Sequence, residues 1–282
     1  MKKLFLQLLT GLFITALLLL GMKLYFSPAA IHKRSVKRAS KALIQTDIKD
    51  LKDISDEEII REYGLDQSML LVNKSHILPD NFSADLSFYK DTDVLMNSSV
   101  IDDYKRLSES VKKKTGEDLY VMSSYRGFED QKRVYEEEGP DTAALPGTSE
   151  HQTGLALDVY VYQYAGAGFI NSEAGRYVNS DCKDFGFIIR YPYGQEAYTG
   201  FSYEPWHIRY VGFPHSKLIG ENNIVFEDYG ELFEEGVYYE YDGYLISKMP
   251  AGNVKIPDGS DGIRFSEDGL GHIFVTIKKA ER

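Results

Sequence analysis

The first 66 residues divide into an apolar run and a polar segment. Leu4 to Met22 is a run of nineteen uncharged residues rich in Leu, Phe and Ile. About 20 apolar residues span the hydrocarbon core of a bilayer, whereas the apolar core of a cleaved signal peptide has about 7–15. Residues 27–66 are charge-rich, with short helices expected to begin near Asp47 and Asp56. We therefore expect a single transmembrane helix within residues 1–26 and a polar stalk over residues 27–66.

From residue 67 onwards the apolar positions predict an α+β domain. Apolar residues between 92 and 117 recur at helical spacing, with Gly116 as a stop, and further helices are expected over residues 127–138, 175–185 and 223–235. Short strands are expected over residues 119–122, 155–161, 187–191 and 206–211. The prediction for residues 67–235 is a small mixed or antiparallel sheet with helices packed around it.

The last part of the chain has a different pattern. Beyond Gly236 short apolar runs alternate with polar residues, and Asp242-Gly243 has the composition of a hairpin turn. Residues 236–282 are therefore expected to form a small β appendage.

Charge and cysteine content narrow the possible classes of function. The formal net charge of -11 argues against a nucleic-acid partner, because such a partner requires a basic face. Cys182 is the single cysteine, which excludes an intrachain disulfide and a cysteine-rich metal site. We expect Cys182 to be an inert core residue.

Two short stretches carry the candidate chemistry: Ser149 to Asp158, and Glu204-Pro-Trp-His207. We interpret His151, Asp158 and His207 as ligands of a catalytic zinc ion, because such an ion takes three protein ligands and leaves one position open for water. Strand alternation places Asp158 on one face with the small Ala156. Glu204 is the carboxylate left over to move protons, and Glu150 is expected to be a solvated neighbour.

These stretches resemble the VanY-type D-alanyl-D-alanine carboxypeptidases, which are zinc peptidases of bacterial peptidoglycan. The pattern S-x-H-x-x-G-x-A-x-D begins at Ser149, the pattern E-x-W-H begins at Glu204, and S-x-Y-R with a later glutamine begins at Ser123. The resemblance covers roughly residues 70–235. It implies zinc as cofactor, Glu204 as general base and Arg126 as the group that binds the terminal carboxylate of the substrate. Further substrate contacts or pocket walls are implied at Ser149, Gln131, Tyr125 and Trp206.

The expected activity is therefore removal of the terminal D-alanine from peptidoglycan stem peptides or their precursors that end in D-Ala-D-Ala. The enzyme is expected to be anchored in the cell membrane, with its catalytic domain on the cell-wall side. An L,D-carboxypeptidase or a D,D-dipeptidase would use the same residues, and a wall-binding module could retain zinc without chemistry. Ser110-x-x-Lys113 and Lys114-Thr-Gly116 match motifs of serine peptidases, but they adjoin within one helix end, and we interpret the match as chance.

Overall fold

The computed structural model describes residues 23, 27–139 and 143–280. The apolar run Leu4–Met22, expected to span a membrane, lies outside the described residues. Within those residues, no helix combines the length and apolar character needed to cross a bilayer. The predicted α+β class is confirmed, since helices and mainly antiparallel strands share each core.

The strands, numbered in chain order, are short. They are β1 (Ile44–Thr46), β2 (Leu51–Ile54), β3 (Leu65–Asp66), β4 (Leu86–Phe88), β5 (Leu95–Asn97), β6 (Tyr120–Ser123), β7 (Ala156–Tyr160), β8 (Phe187–Ile189), β9 (His207–Tyr210), β10 (Tyr238–Tyr241), β11 (Tyr244–Pro250), β12 (Val254–Pro257), β13 (Ile263–Glu267) and β14 (His272–Lys278).

The helices surround the two main sheets. They are α1 (Pro28–Ala42), α2 (Asp56–Glu58, continued by a π-helical turn over Ile59–Tyr63), α3 (Ile101–Thr115), α4 (Phe128–Glu138), α5 (Glu173–Asp181), α6 (Glu196–Thr199), α7 (His215–Asn222) and α8 (Phe226–Tyr229). Five 3₁₀ turns cover Ser98–Val100, Glu150–Thr153, Gly166–Asn171, Cys182–Phe185 and Gly230–Leu232.

A four-stranded antiparallel sheet in the order β6-β7-β9-β8 forms the centre of the molecule. Helix α3 packs on it through Tyr104, Leu107 and Val111, whose spacing of three and four residues forms one apolar stripe. The helix ends at Gly116, whose φ of 76° is the left-handed conformation of a C-terminal cap. Cys182 is buried in this core, as predicted.

A second, six-stranded sheet has the order β1-β10-β11-β14-β13-β3, and β12 pairs separately with β2. The structure here differs from the expected stalk over residues 27–66. Strands β1, β2 and β3 all pair with strands from beyond residue 236, and Ile54 and Ile59 are buried against them. Its few apolar residues are sufficient to attach the segment, since they pack against strands that lie far along the chain. The local sequence does not reveal these contacts, so the attachment was not predicted.

Two predicted helices have different bounds. The segment before residue 101 forms β5 and a 3₁₀ turn; Asn97 accepts a hydrogen bond from the backbone N–H of Ser99 and so caps the 3₁₀ turn that leads into α3. The helix expected over residues 223–235 is only α8 and a 3₁₀ turn. The longer helix, α7, lies before Asn223, which adopts a left-handed conformation and ends it.

Candidate metal centre

His151 lies in a 3₁₀ turn that leads into β7. Its Nδ1 lies 2.9 Å from the carbonyl oxygen of Ser124, and its Nε2 lies 3.3 Å from Oδ2 of Asp158. Gly154 ends the turn at a φ of 69°, and a Cβ there would lie 2.7 Å from the backbone nitrogen of Asn97. Only glycine allows both this conformation and this close approach, so the turn holds His151 beside the sheet.

The other two candidate ligands are direct neighbours across the sheet. Asp158 on β7 pairs with His207 on β9, and both side chains project to the same face. Nδ1 of His207 lies 3.1 Å from Oδ1 of Asp158. One ligand atom from each of His151, Asp158 and His207 can be chosen so that all lie within 4.8 Å of one another. The structure thus brings together the three residues that the sequence predicted as ligands.

Glu204 lies at the entrance to this cluster, in the loop before β9. Its Oε2 is 3.7 Å from Nδ1 of His207, and its backbone N–H donates to the carbonyl oxygen of Tyr191 at 3.0 Å. Burial raises the pKa of Glu204, and His207 lowers it by a smaller amount. A half-buried carboxylate with a raised pKa next to the ligand cluster is suited to accept and release a proton.

Glu150 is buried, and the expectation that it would be a solvated neighbour is wrong. Its Oε1 accepts from Nε of Arg190 at 2.7 Å and from an Nη of Arg209 at 3.3 Å. Both arginines are themselves buried. Arg190 continues the network to Glu227, and Glu227 also accepts from Asn73. Glu150 therefore belongs to an ion-pair network directly behind the candidate ligands.

The same carboxylate faces His207. Oε2 of Glu150 and Nε2 of His207 are 3.7 Å apart, and both are buried without a hydrogen-bond partner. Burial raises the pKa of Glu150, but Arg190 and Arg209 outweigh it and lower the pKa to about 2. Burial lowers the pKa of His207, but its contacts with Asp158 and Glu150 raise it to about 10. The site concentrates negative charge around one imidazole, as expected for a site that binds a cation.

The candidate ligands lie in a cavity of about 380 Å³. Arg126 lines it and is held by two hydrogen bonds from its guanidinium group, to Ser123 Oγ at 2.8 Å and to Gln131 Oε1 at 3.1 Å. Its backbone N–H donates to the carbonyl oxygen of His151 at 3.1 Å. A guanidinium has five N–H donors, so Arg126 retains donors for a bound carboxylate.

Three comparisons with known proteins bear on this site. The family model "VanY: D-alanyl-D-alanine carboxypeptidase" matches residues 93–213, which include all candidate ligands, Glu204 and Arg126. The bifunctional D-Ala-D-Ala dipeptidase and D-Ala-D-Ala carboxypeptidase VanXYC of Enterococcus gallinarum is 34% identical over 188 residues, which cover 60% of this chain and 97% of the relative. The chain belongs to the VanY family of D-alanyl-D-alanine carboxypeptidases.

Solved structures agree with this assignment. The vancomycin-resistance D,D-dipeptidase VanXYg, in complex with a D-Ala-D-Ala phosphinate analog, is similar at 29% identity and a TM-score of 0.65, covering 82% of this chain and 99% of that chain. A mutant of the vancomycin-resistance D,D-pentapeptidase VanY in complex with Zn(II) is similar at 30% identity and a TM-score of 0.51, covering 57% and 98%. The resemblance noted in the sequence is confirmed, and this VanY-family chain is a peptidase.

The residues of this VanY-family site fit a zinc ion. Two ligand atoms at about 2.1 Å from a tetrahedral zinc are about 3.4 Å apart. Oδ2 of Asp158 lies 3.3 Å from Nε2 of His151, and its other oxygen, Oδ1, lies 3.1 Å from Nδ1 of His207. Oδ1 is buried and makes no hydrogen bond, although it lies this close to His207. Two imidazoles and a carboxylate whose ligand atoms lie within 4.8 Å of one another are the donor set of a catalytic zinc.

The remaining predicted site residues divide between two pockets. Ser149, Gln131 and Trp206 line the same cavity as Arg126. Gln131 is buried and donates to the carbonyl oxygen of Ala144 at 2.7 Å. Tyr125 does not line this cavity: it lines a neighbouring pocket with Phe82 and Phe128, among other residues.

Sequence reasoning missed part of the site wall and the whole network behind it. Tyr191 and Phe201 stack with ring centroids 4.5 Å apart, and the Tyr191 ring lies 5.0 Å from that of His207. Arg209 lies two residues after His207 on β9, so strand alternation puts both on one face, and this shared face was the available signal for the contact of Arg209 with Glu150. No signal in the sequence connected Arg190 to the site.

Proposed function

We propose that this chain is a zinc-dependent carboxypeptidase that removes the terminal D-alanine from peptidoglycan stem peptides ending in D-Ala-D-Ala. The observation that carries the proposal is one cavity lined by the candidate ligand set His151, Asp158 and His207. The same cavity is lined by Glu204, a carboxylate outside the ligand set, and by Arg126, a cation with no ion pair among the described residues. A purely structural zinc site would be closed by a fourth protein ligand and would have no need of Glu204.

Each residue has a role that its surroundings support. When bound, zinc polarises the scissile carbonyl and lowers the pKa of a bound water to about 7. Glu204 accepts a proton from the attacking water and delivers it to the amine of the leaving D-alanine, for which its raised pKa is suitable. Arg126 pairs with the terminal carboxylate of the substrate, which accounts for selection of the last residue of a chain.

The neighbours of these groups hold them in position. Ser123 and Gln131 orient the guanidinium of Arg126, and Ser149 and Trp206 bound the cavity. His151 is oriented by the carbonyl oxygen of Ser124. A ligating histidine whose second nitrogen is engaged in this way is fixed in tautomer and ring orientation.

We propose the place of action from the apolar run, which supports a membrane anchor, and from the cell-wall substrate, which supports the outer side. Leu4–Met22 anchors the chain in the cell membrane as a single span, with the catalytic cavity on the cell-wall side, where stem peptides are found. The partners of the chain are therefore the membrane and the stem peptides or their precursors.

The test uses the full chain loaded with zinc and three substrates: a pentapeptide stem ending in D-Ala-D-Ala, the corresponding tetrapeptide, and free D-Ala-D-Ala. Release of D-alanine from the pentapeptide, abolished by a chelator and unaffected by penicillin, is the expected result. Release mainly from the tetrapeptide would indicate an L,D-carboxypeptidase, and release mainly from the dipeptide a D,D-dipeptidase. Zinc binding without any release would indicate a wall-binding module.

A further inference from the structure

The segment before residue 47 has a net positive charge. The first 46 residues contain no acidic side chain, although the whole chain has a formal net charge of -11. Eight basic residues fall in this segment: Lys2, Lys3, Lys23, Lys33, Arg34, Lys37, Arg38 and Lys41. Such a charge asymmetry indicates an interaction with an anionic partner at this end of the molecule.

Helix α1 presents much of this charge on one side. Lys33, Lys37 and Lys41 are four residues apart, so they form one stripe along the helix, and all three are exposed. In the part of the chain that the structure describes, none of them forms an ion pair. Ser35 and Ala39 are buried on the other side of the helix, where α1 packs on α7.

Helix α1 is firmly attached to the catalytic unit. The guanidinium of Arg38 donates to the carbonyl oxygen of Asn222 at 2.7 Å and to its Oδ1 at 3.2 Å. Leu43, just after the helix, is buried in a core that also contains Ile188 of β8. Strand β1 then pairs with β10. A surface bound by α1 would therefore be held at a fixed orientation to the catalytic sheet.

Near its start, α1 also contacts residues that are close in sequence to a wall of the cavity. The ring of His32 stacks on that of Tyr198 with centroids 3.4 Å apart, and its nitrogens lie 2.9 Å from Gln195 Oε1 and 3.1 Å from Asp228 Oδ2. Phe201, which lines the cavity, is three residues after Tyr198. Three residues of chain span at most about 11 Å, so the cavity wall lies near the start of α1.

We propose that Lys33, Lys37 and Lys41, here called the basic stripe, bind anionic phospholipid headgroups and thereby hold the cavity at a fixed orientation to the membrane surface. The proposal rests on the membrane anchor of the proposed function, because Leu4–Met22 ends six residues before α1 and brings the helix to the headgroup layer. The acidic remainder of the chain is repelled by the same surface, so the basic stripe is the face that docks. Each lysine contributes about fivefold to the docked population.

The experiment uses the full chain in vesicles of phosphatidylcholine alone or mixed with phosphatidylglycerol. A fluorophore is attached to Ser40→Cys, an exposed position on α1. Its quenching by a lipid with a nitroxide on the headgroup reports contact of α1 with the membrane surface. The native Cys182 is buried and so does not compete for the label. The test variant is Lys33→Glu/Lys37→Glu/Lys41→Glu. The matched control reverses three exposed lysines on other elements: Lys52, Lys105 and Lys278.

Quenching is expected to be strong in vesicles that contain phosphatidylglycerol and weak in vesicles of phosphatidylcholine alone. In the former it should decrease as the salt concentration is raised. In the test variant, loss of three attractive charges alone should reduce the docked-to-undocked ratio on the order of 100-fold, and the three added negative charges should reduce it further, while the control variant docks as the native chain does. Both should release D-alanine from a soluble pentapeptide at the native rate. Equal quenching in both vesicles, or equal loss in both variants, would overturn the docking proposal alone. If the chain did not co-float with vesicles of either composition in a density gradient, the membrane anchor would be contradicted as well.

Discussion

Replacing Glu150 by glutamine tests whether the buried network behind the ligands acts on the metal. The change removes the carboxylate that lies 2.7 Å from Arg190, 3.3 Å from Arg209 and 3.7 Å from Nε2 of His207. Breaking a buried ion pair costs about 3–5 kcal/mol, because the partner charge is left uncompensated. Arg190 keeps Glu227, and Arg209 keeps three backbone carbonyl acceptors. The expected loss of unfolding free energy is therefore at the lower end, about 3 kcal/mol.

The second expected effect is on zinc. An anionic partner behind a ligating histidine fixes its orientation and increases its basicity, and the loss of such a partner costs about 10–100-fold in metal affinity. Zinc affinity would be measured by competition with a chromophoric chelator, and stability by urea unfolding of the metal-free chain. The control is Glu227→Gln, which weakens the network at its outer end but leaves Glu150 facing His207. It should lose stability and keep its zinc affinity. If Glu150→Gln bound zinc as tightly as the native chain, the role assigned to Glu150 would be wrong.

Three further changes follow from the structure. Arg126→Lys should lower kcat/KM for a pentapeptide with a free C-terminal carboxylate by about 10–100-fold, because a lysine cannot form the paired hydrogen bonds to a carboxylate. Cleavage of a C-terminally amidated analogue should be unchanged. Equal losses on both substrates would contradict this role. Gly154→Ala should reduce soluble yield and zinc content together, since its Cβ would lie 2.7 Å from a backbone nitrogen, and normal zinc content would refute the packing argument. Burial lowers the pKa of His215 well below its ordinary value. The stabilisation from neutral His215 is therefore complete above about pH 6.5, the pKa in the unfolded chain, and the free energy of unfolding falls below that pH by up to about 1.4 kcal/mol per pH unit. Urea unfolding between pH 7.5 and 5.5 should show this slope in the native chain and a shallower one in His215→Gln.

The three candidate ligands, which the structure brings together, could be found from the sequence because each has a local signature. Alternation along the strand placed Asp158 on the face of Ala156, and the short spacing in sequence keeps Glu204, in the loop before β9, close to His207 at the start of β9. The turn before β7 requires glycine at position 154, which makes the motif around His151 recognisable. These features depend on a few adjacent residues, so the pattern of the chain was sufficient to find them.

The burial of Glu150 could not be predicted in the same way. Its partners, Arg190 and Arg209, are 40 and 59 residues away; Arg190 directly follows β8, and Arg209 lies on β9. The local sequence predicts that a glutamate beside a histidine is exposed to solvent. It is buried here because the fold brings two buried arginines to its carboxylate. The docking of residues 27–66 was missed for the same reason, since β1, β2 and β3 find their partners only after residue 236.

The most direct test of the proposed chemistry is the paired measurement of zinc content and D-alanine release in the native chain and in Glu204→Gln. Glu204 lies near His207 but is not required as a ligand, so the variant should keep one zinc per chain. Loss of general acid–base catalysis should lower kcat on the pentapeptide by about 10²–10⁴-fold. A variant that binds zinc and releases D-alanine at the native rate would contradict the proposed mechanism.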